Sequence, residues 1–487
     1  MSVSRRHFFY GTLLAGAVPT GGFGSSASLR HMGYQSPNEK LNIAAIGAGG
    51  KGCSDIMGCA TENIVALADP DAVQAKQMFT TYDKAPKYTD FRKMLDKEDR
   101  NIDAVIVSTP DFMHAAASLA AMERGKHVYC QKPLTRTIWE ARALTAAAAR
   151  YNVATQMGNQ GYSNEGSRQC AEMIWSGAIG NVTEVHAWTN RPIWPQGLQA
   201  LPAAEKVPDT MDWDSWIGVA NDRPYSKEYA PFKWRGWFDF GCGALGDMAC
   251  HILGAPNMAL MLGAPTSVEC LMQEGKSEFT FPKKSIIRFD FPARGAMPPV
   301  KIFWYDGMVA PPPRPSGLPA TELLGDLPRA PRGLEASPEQ RLSQPVGQVF
   351  DPAKPIPDIP TATRPGSSPS ANGSLFVGDK GFLTTGTYGE NTRLVPVERM
   401  KDFKLPPALL TRSPGHYRDW IRAAKGGDPA CSNFSVAGPF TEWILLGVLA
   451  LRFEGKLEWD SAKMKITNNS EANKLVKPSI RKGWKIG

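Results

Sequence analysis

No Cys-x-x-Cys pair occurs among the eight cysteines of this 487-residue chain, and they form no dense framework. That spacing excludes a zinc module or a disulfide scaffold. No apolar run reaches the 18 or so residues needed to cross a bilayer, which excludes an integral helical membrane protein. A charge surplus is also missing from the body of the chain. The formal +8 resides in Arg5 and Arg6 and in residues 461–487, where seven Lys/Arg face Glu471. The residues between are formally neutral, so no polyanion-binding surface is indicated and no nucleic-acid partner is expected. What is present is ordinary globular composition, 42% apolar and 21% charged, in a length suited to two or three domains.

The first residues read as an address. Arg5-Arg6 precede a short apolar run, Phe8 to Val18, followed by Gly/Ser-rich sequence and small residues at Ser25-Ser26-Ala27. A run of eleven residues suits a signal-peptide core better than a membrane span. The arginine pair predicts a twin-arginine export signal over 1–38 and a periplasmic protein, exported already folded.

A nucleotide-binding half is expected over 39–155. The buried-strand run Leu41–Ile46 leads into Gly47-Ala-Gly-Gly-Lys-Gly52 and then a helix. In that context Gly47, Gly49, Gly50, Lys51 and Gly52 let backbone approach a pyrophosphate at a helix N-terminus. A second strand, Ile64–Ala68, ends at Asp69, 22 positions after Gly47, where a carboxylate can accept from ribose hydroxyls. Its charge would repel a 2′-phosphate, favouring NAD over NADP. Further strands end at Ser108-Thr109-Pro110-Asp111 and at Gln131-Lys132-Pro133. Alternating strands and helices predict a doubly wound parallel Rossmann sheet.

Gly47–Gly52, Asp69, Thr109-Pro-Asp-x-x-His114 and Lys132-Pro133-Leu134 resemble the Gfo/Idh/MocA oxidoreductases, the family of glucose–fructose oxidoreductase and inositol dehydrogenase. The resemblance implies an N-terminal Rossmann domain, a mostly antiparallel open-sheet substrate domain, and cofactor contacts at Thr109, Asp111, His114, Gln131 and Asn159. It places Lys132 beside nicotinamide and substrate. Members typically carry Glu-Lys-Pro where this chain has Gln131-Lys132-Pro133, and the missing carboxylate predicts a lowered Lys132 pKa. Asn159 and its neighbour Gln160 read equally well as turn residues.

Asp247-x-x-x-His251 follows a Gly-rich stretch, and on a helix the two side chains share a face. The spacing alone suits an ion pair or a metal-ligand fragment, but no third ligand is suitably spaced, so no metal is expected. The resemblance makes it part of a catalytic trio. His251 would be general base and acid, Lys132 would stabilise alkoxide charge, and Asp247 would orient substrate and histidine.

Residues 156–460 are expected to form the substrate domain, with strands at Ser267–Met272, Ser285–Phe291, Val300–Trp304, Leu375–Val377 and Gly381–Thr385 and helices at His416–Ala424 and Pro439–Arg452. His186 and Trp188 on one strand face, with Asn190 beyond, are candidates to contact a sugar, or equally are packing residues under a loop. The Trp-rich stretch Met211–Phe240 suits a carbohydrate-lining loop or a domain staple. Residues 308–370, with 15 of the chain's 40 prolines, read as an irregular insertion, and 461–487 as a basic tail, solvated or touching another subunit. The expected function is hydride transfer between bound NAD and a sugar, polyol or glycoside hydroxyl, in a homo-oligomer. One alternative is redox-neutral glycoside hydrolysis, although the His-Gly-Leu-Gly-Pro stretch usual in that branch is absent. A non-catalytic sugar- or nucleotide-binding protein is the other.

Overall fold

The computed structural model describes residues 39–307, 314–327 and 371–486. The expected export signal and most of the proline-rich insertion lie outside these. Six parallel strands form the first sheet: β1 (Asn42–Ile46), β2 (Asn63–Ala68), β3 (Lys87–Tyr88), β4 (Ala104–Val107), β5 (His127–Cys130) and β6 (Thr155–Met157), in the order β3-β2-β1-β4-β5-β6. β4 is buried at every residue and β1 at all but Asn42, as apolar strands covered on both faces should be. The order reverses beside β1, opening a crevice between β1 and β4 at their C-terminal ends. The sheet continues to Met157, two residues past the expected boundary, because Val128–Cys130 pair with Thr155–Met157.

Helix α1 (Lys51–Gly58) leaves the glycine loop, and α2 (His114–Met122) follows β4. Helix α3 (Ile138–Tyr151) opens with a capping box. Thr137 accepts from the Glu140 N–H, and Glu140 accepts from the Thr137 N–H at 2.8 Å.

The second sheet has nine strands in the order β13-β12-β11-β7-β10-β9-β8-β14-β15. They are β7 (Val182–Thr189), β8 (Ser267–Glu274), β9 (Lys284–Phe291), β10 (Val300–Asp306), β11 (Asn372–Gly378), β12 (Gly381–Thr385), β13 (Arg393–Val395), β14 (Lys456–Asp460) and β15 (Lys465–Ile466). Its pairings are antiparallel except β7 with β10. The expected strands are all present, most a few residues longer. Helix α4 (Gly243–Ile252) packs on one face of this sheet, against β7, β10 and β11.

Helix α5 (His416–Ala424) matches its expected bounds but serves the other domain. Trp420, Ile421 and Ala424 bury into one cluster with Leu41, Ile43, Ala45 and Leu67. Helix α6 (Phe434–Ala450) begins five residues before the expected Pro439, because Asn433 caps it by accepting from the Ser435 N–H at 3.0 Å.

Two expectations are corrected. Part of the insertion, 314–327, is packed: Leu318 and Leu324 are buried against Trp188, Tyr305, Leu375 and Val395. The basic tail is not a free solvated segment, although its lysines stay exposed. Helix α7 (Ser470–Lys474) follows β15, Ile466, Val476 and Ile486 are buried, and Arg481 pairs with Asp214 at 2.6 Å. Apolar anchors among the lysines hold it down.

Candidate active site

The glycine loop fits a close-approaching ligand. Gly47 has φ +85°, and a Cβ there would lie 2.5 Å from the Ser108 carbonyl oxygen; one at Gly52 would meet the Gly47 oxygen. Gly50 has φ +51° and open space before it, at the start of α1. Asp69 is engaged with the loop itself. It accepts from the N–H groups of Ala48 (2.8 Å), Gly49 (3.1 Å) and Asp71 (2.9 Å). That leaves about one of a carboxylate's four lone-pair sites for a ribose. Burial raises its pKa to about 6 despite these bonds.

A buried network lies behind the loop. Asp55 on α1 accepts from Ser108 (2.7 Å), from the Gln131 amide (2.9 Å) and from the Tyr417 hydroxyl (2.8 Å), and pairs with Lys51. Lys51 also reaches Tyr417 at 3.2 Å. Lys51 and Gln131, expected to touch cofactor, are thus committed to Asp55. His114 is corrected outright. Its ring nitrogens face the carbonyls of Pro133 (2.7 Å) and Thr109 (2.9 Å), and burial lowers its pKa to about 4. It fastens the loops that carry Thr109 and Lys132. Thr109 is half-buried beside the crevice. Asn159 is fully buried; its Oδ1 accepts from Ser432, and its Nδ2 has no partner among the described residues. That spare donor suits a cofactor contact.

Lys132, Asp247 and His251 come together. The Lys132 ammonium donates to Asp247 Oδ1 (2.7 Å) and to the Asp247 carbonyl (2.8 Å). Burial disfavours the ammonium, but the Asp247 charge overrides it and raises the lysine pKa, contrary to the lowering expected from Gln131. Burial would raise the Asp247 pKa, yet Lys132 and Arg235 bring it to about 2. Burial, then Lys132, hold the His251 pKa well below its ordinary value, so it is a neutral imidazole and not the near-neutral titrator expected. Its Nδ1 is buried without a partner among the described residues, and Tyr388 stands edge-on at 4.8 Å between ring centroids. Burial pushes the Asp111 carboxyl up to about 7 against the pull of Arg235 and Lys132.

The proposed sugar contacts do not join this cluster. His186 and Trp188 point to the sheet face opposite α4. His186 pairs with Tyr305 at 2.9 Å and stacks on Phe303, and Trp188 is only 1% exposed under 314–327. Strand alternation puts Val185 and Ala187 toward α4 instead. Asn190 sits half-buried just beyond β7. Of the Trp-rich stretch, Trp216, Trp234 and Trp237 are buried, with Trp216 against Phe112 of the first domain. They are a staple, not a sugar platform. Residues the sequence did not single out here are Asp55, Arg235, Tyr388, His416 and Tyr417.

Residues 41–159 match the oxidoreductase family, NAD-binding Rossmann fold, and residues 173–273 match that family's C-terminal alpha/beta domain. Over these two stretches the chain is similar to the Gfo/Idh/MocA oxidoreductases. Among curated relatives, it is 26% identical to the levoglucosan dehydrogenase of Pseudarthrobacter phenanthrenivorans, over 44% of this chain and 50% of that protein. It is 30% identical to a glycosyl hydrolase family 109 protein of Solibacter usitatus, over 35% of this chain and 41% of the relative. The chain therefore spans half or less of the length of these relatives. In fold it is similar to the WlbA dehydrogenase of Bordetella pertussis, solved with NADH and UDP-GlcNAcA. There the TM-score is 0.54 at 12% identity, covering 87% of this chain and 99% of the other.

Proposed function

We propose that this protein is an exported NAD-dependent oxidoreductase acting on a hydroxyl of a sugar or polyol. The observation that carries the reading is the meeting of a salt-bridged ammonium, Lys132, with a neutral buried imidazole, His251, whose Nδ1 has no partner among the described residues. Bound NAD supplies the hydride acceptor. The glycine loop and α1 would hold its pyrophosphate, Asp69 would offer its remaining lone pair to the ribose, and the Asn159 amide would donate on the nicotinamide side. His251 accepts the substrate hydroxyl proton, while the Lys132 ammonium holds the developing alkoxide charge. Asp247 keeps Lys132 charged and in place. The Arg5-Arg6 signal supports export with cofactor already inside.

The test is to denature protein purified from its native compartment, identify the released nucleotide, and assay sugars for keto-product. His251→Ala should lower turnover about 10²–10⁴-fold while the nucleotide stays bound. Full activity in that variant refutes the assignment. The family 109 relative favours one second reading, glycoside cleavage by oxidation, elimination, hydration and re-reduction. Aglycone release without accumulated NADH would select it.

A further inference from the structure

Arg235 stands at the mouth of this site on the tight turn Lys233–Gly236. Its guanidinium carbon lies 4.2 Å from the Trp234 ring centre and 4.6 Å from that of Phe232, which fixes the plane of the fork. Nη1 donates to the Phe232 carbonyl at 3.2 Å. Nε is 3.7 Å from Asp247 Oδ1, an attraction too long for a hydrogen bond. That oxygen already accepts from Lys132 at 2.7 Å. Nε and Nη2 therefore keep donors unused among the described residues.

Lys132, Asp247 and Arg235 keep 15%, 19% and 23% of their side chains exposed, so all three open toward solvent. Two cations thus share one carboxylate. The other nearby acid, Asp111, is buried, and burial holds its carboxyl up at about 7, so it offsets only part of the surplus. A neutral polyol would leave that surplus standing. A carboxylate would remove it and accept from the guanidinium edge in two parallel bonds. The two cationic nitrogens are separated by no more than the sum of their distances to Asp247 Oδ1, about 6.4 Å. One pyranose ring spans that gap, with its reacting hydroxyl at Lys132 and its acid group at Arg235.

We propose that Arg235 is a substrate-binding residue that selects a sugar acid, a uronate, over the corresponding neutral sugar. This rests on the oxidoreductase reading above and narrows its substrate class. The experiment uses full-length protein loaded with NAD. Calorimetry compares D-glucuronate and D-galacturonate with their methyl esters and with glucose and galactose, and absorbance follows NADH. At least one acid should bind tenfold or more tightly than its ester. Arg235→Gln should collapse that ratio toward one, and Arg235→Lys should recover part of it. Nucleotide retention and unfolding curves establish that each variant is folded. Equal binding of acid and ester, no binding of either acid, or an unchanged ratio in Arg235→Gln overturns the proposal. If the protein holds no nicotinamide nucleotide, the oxidoreductase reading fails first and this one with it.

Discussion

Asp55 and Gln131 form a charged acceptor and a neutral donor at 2.9 Å, with no solvent access to the carboxylate. A glutamate at 131 would bring a second carboxylate against the first where water cannot screen either. Gln131→Glu should therefore cost about 2–4 kcal/mol of stability near neutral pH. Adding Asp55→Asn to that variant should recover much of the loss. Urea unfolding of wild type, single and double variant checks this, and a single variant as stable as wild type would sink the account. His416 invites a different measurement. Its ring nitrogens lie 3.0 Å from the Tyr129 hydroxyl and 2.9 Å from that of Ser163, and burial lowers its pKa to about 3. The unfolded chain protonates this group first, near 6.5. Its contribution is therefore complete above pH 6.5 and is lost as pH falls toward about 3. The slope is about 1.4 kcal/mol per pH unit, so roughly 2 kcal/mol disappears between pH 6.5 and 5. His416→Gln should show a shallower fall in melting temperature over that range; parallel curves for the two proteins would contradict it.

The C-terminal strap shows how packing can hide inside a charged composition. Trp484 stacks under the Arg92 guanidinium at 3.8 Å and tilts against Phe91 at 6.0 Å, tying the last residues to the first domain. Trp484→Ala should lower stability by about 1–2 kcal/mol, read by thermal unfolding, whereas a free tail would tolerate it unchanged. Elements whose signal is local were legible in the sequence. The β1–glycine loop–α1 unit, Lys132 after β5, and Asp247 with His251 one turn apart all follow from short-range periodicity and turn chemistry. Arg235, Asp55 and Tyr388 were not legible, because their roles come from partners that only the folded chain brings near. Arg235 is 12 residues from Asp247, and Tyr417 is 362 from Asp55. For His186 and Trp188 the sequence left sugar contact and packing under a loop equally open, for a related reason. Alternation along a strand reports which residues share a face, not which face meets α4. The strap was missed because Ile466, Val476, Trp484 and Ile486 follow no helical or strand period.

At the scale of the whole molecule, the two sheets are not two independent bodies. Trp216 meets Phe112 across the domains, α5 seals the core beside β1, and α6 lies along α3. The place of α5 bears on how the protein is made. Strand β1 ends at Ile46, yet Trp420, which covers its core, and Tyr417, which bonds Asp55 behind the glycine loop, come some 370 residues later. At about 5–20 residues per second, the ribosome needs roughly twenty seconds to over a minute to cover that distance. Until then the nucleotide half has an open flank and an incompletely bonded buried carboxylate. The nucleotide half thus emerges well before the residues that complete it, so a finished cofactor cradle is the product of later synthesis.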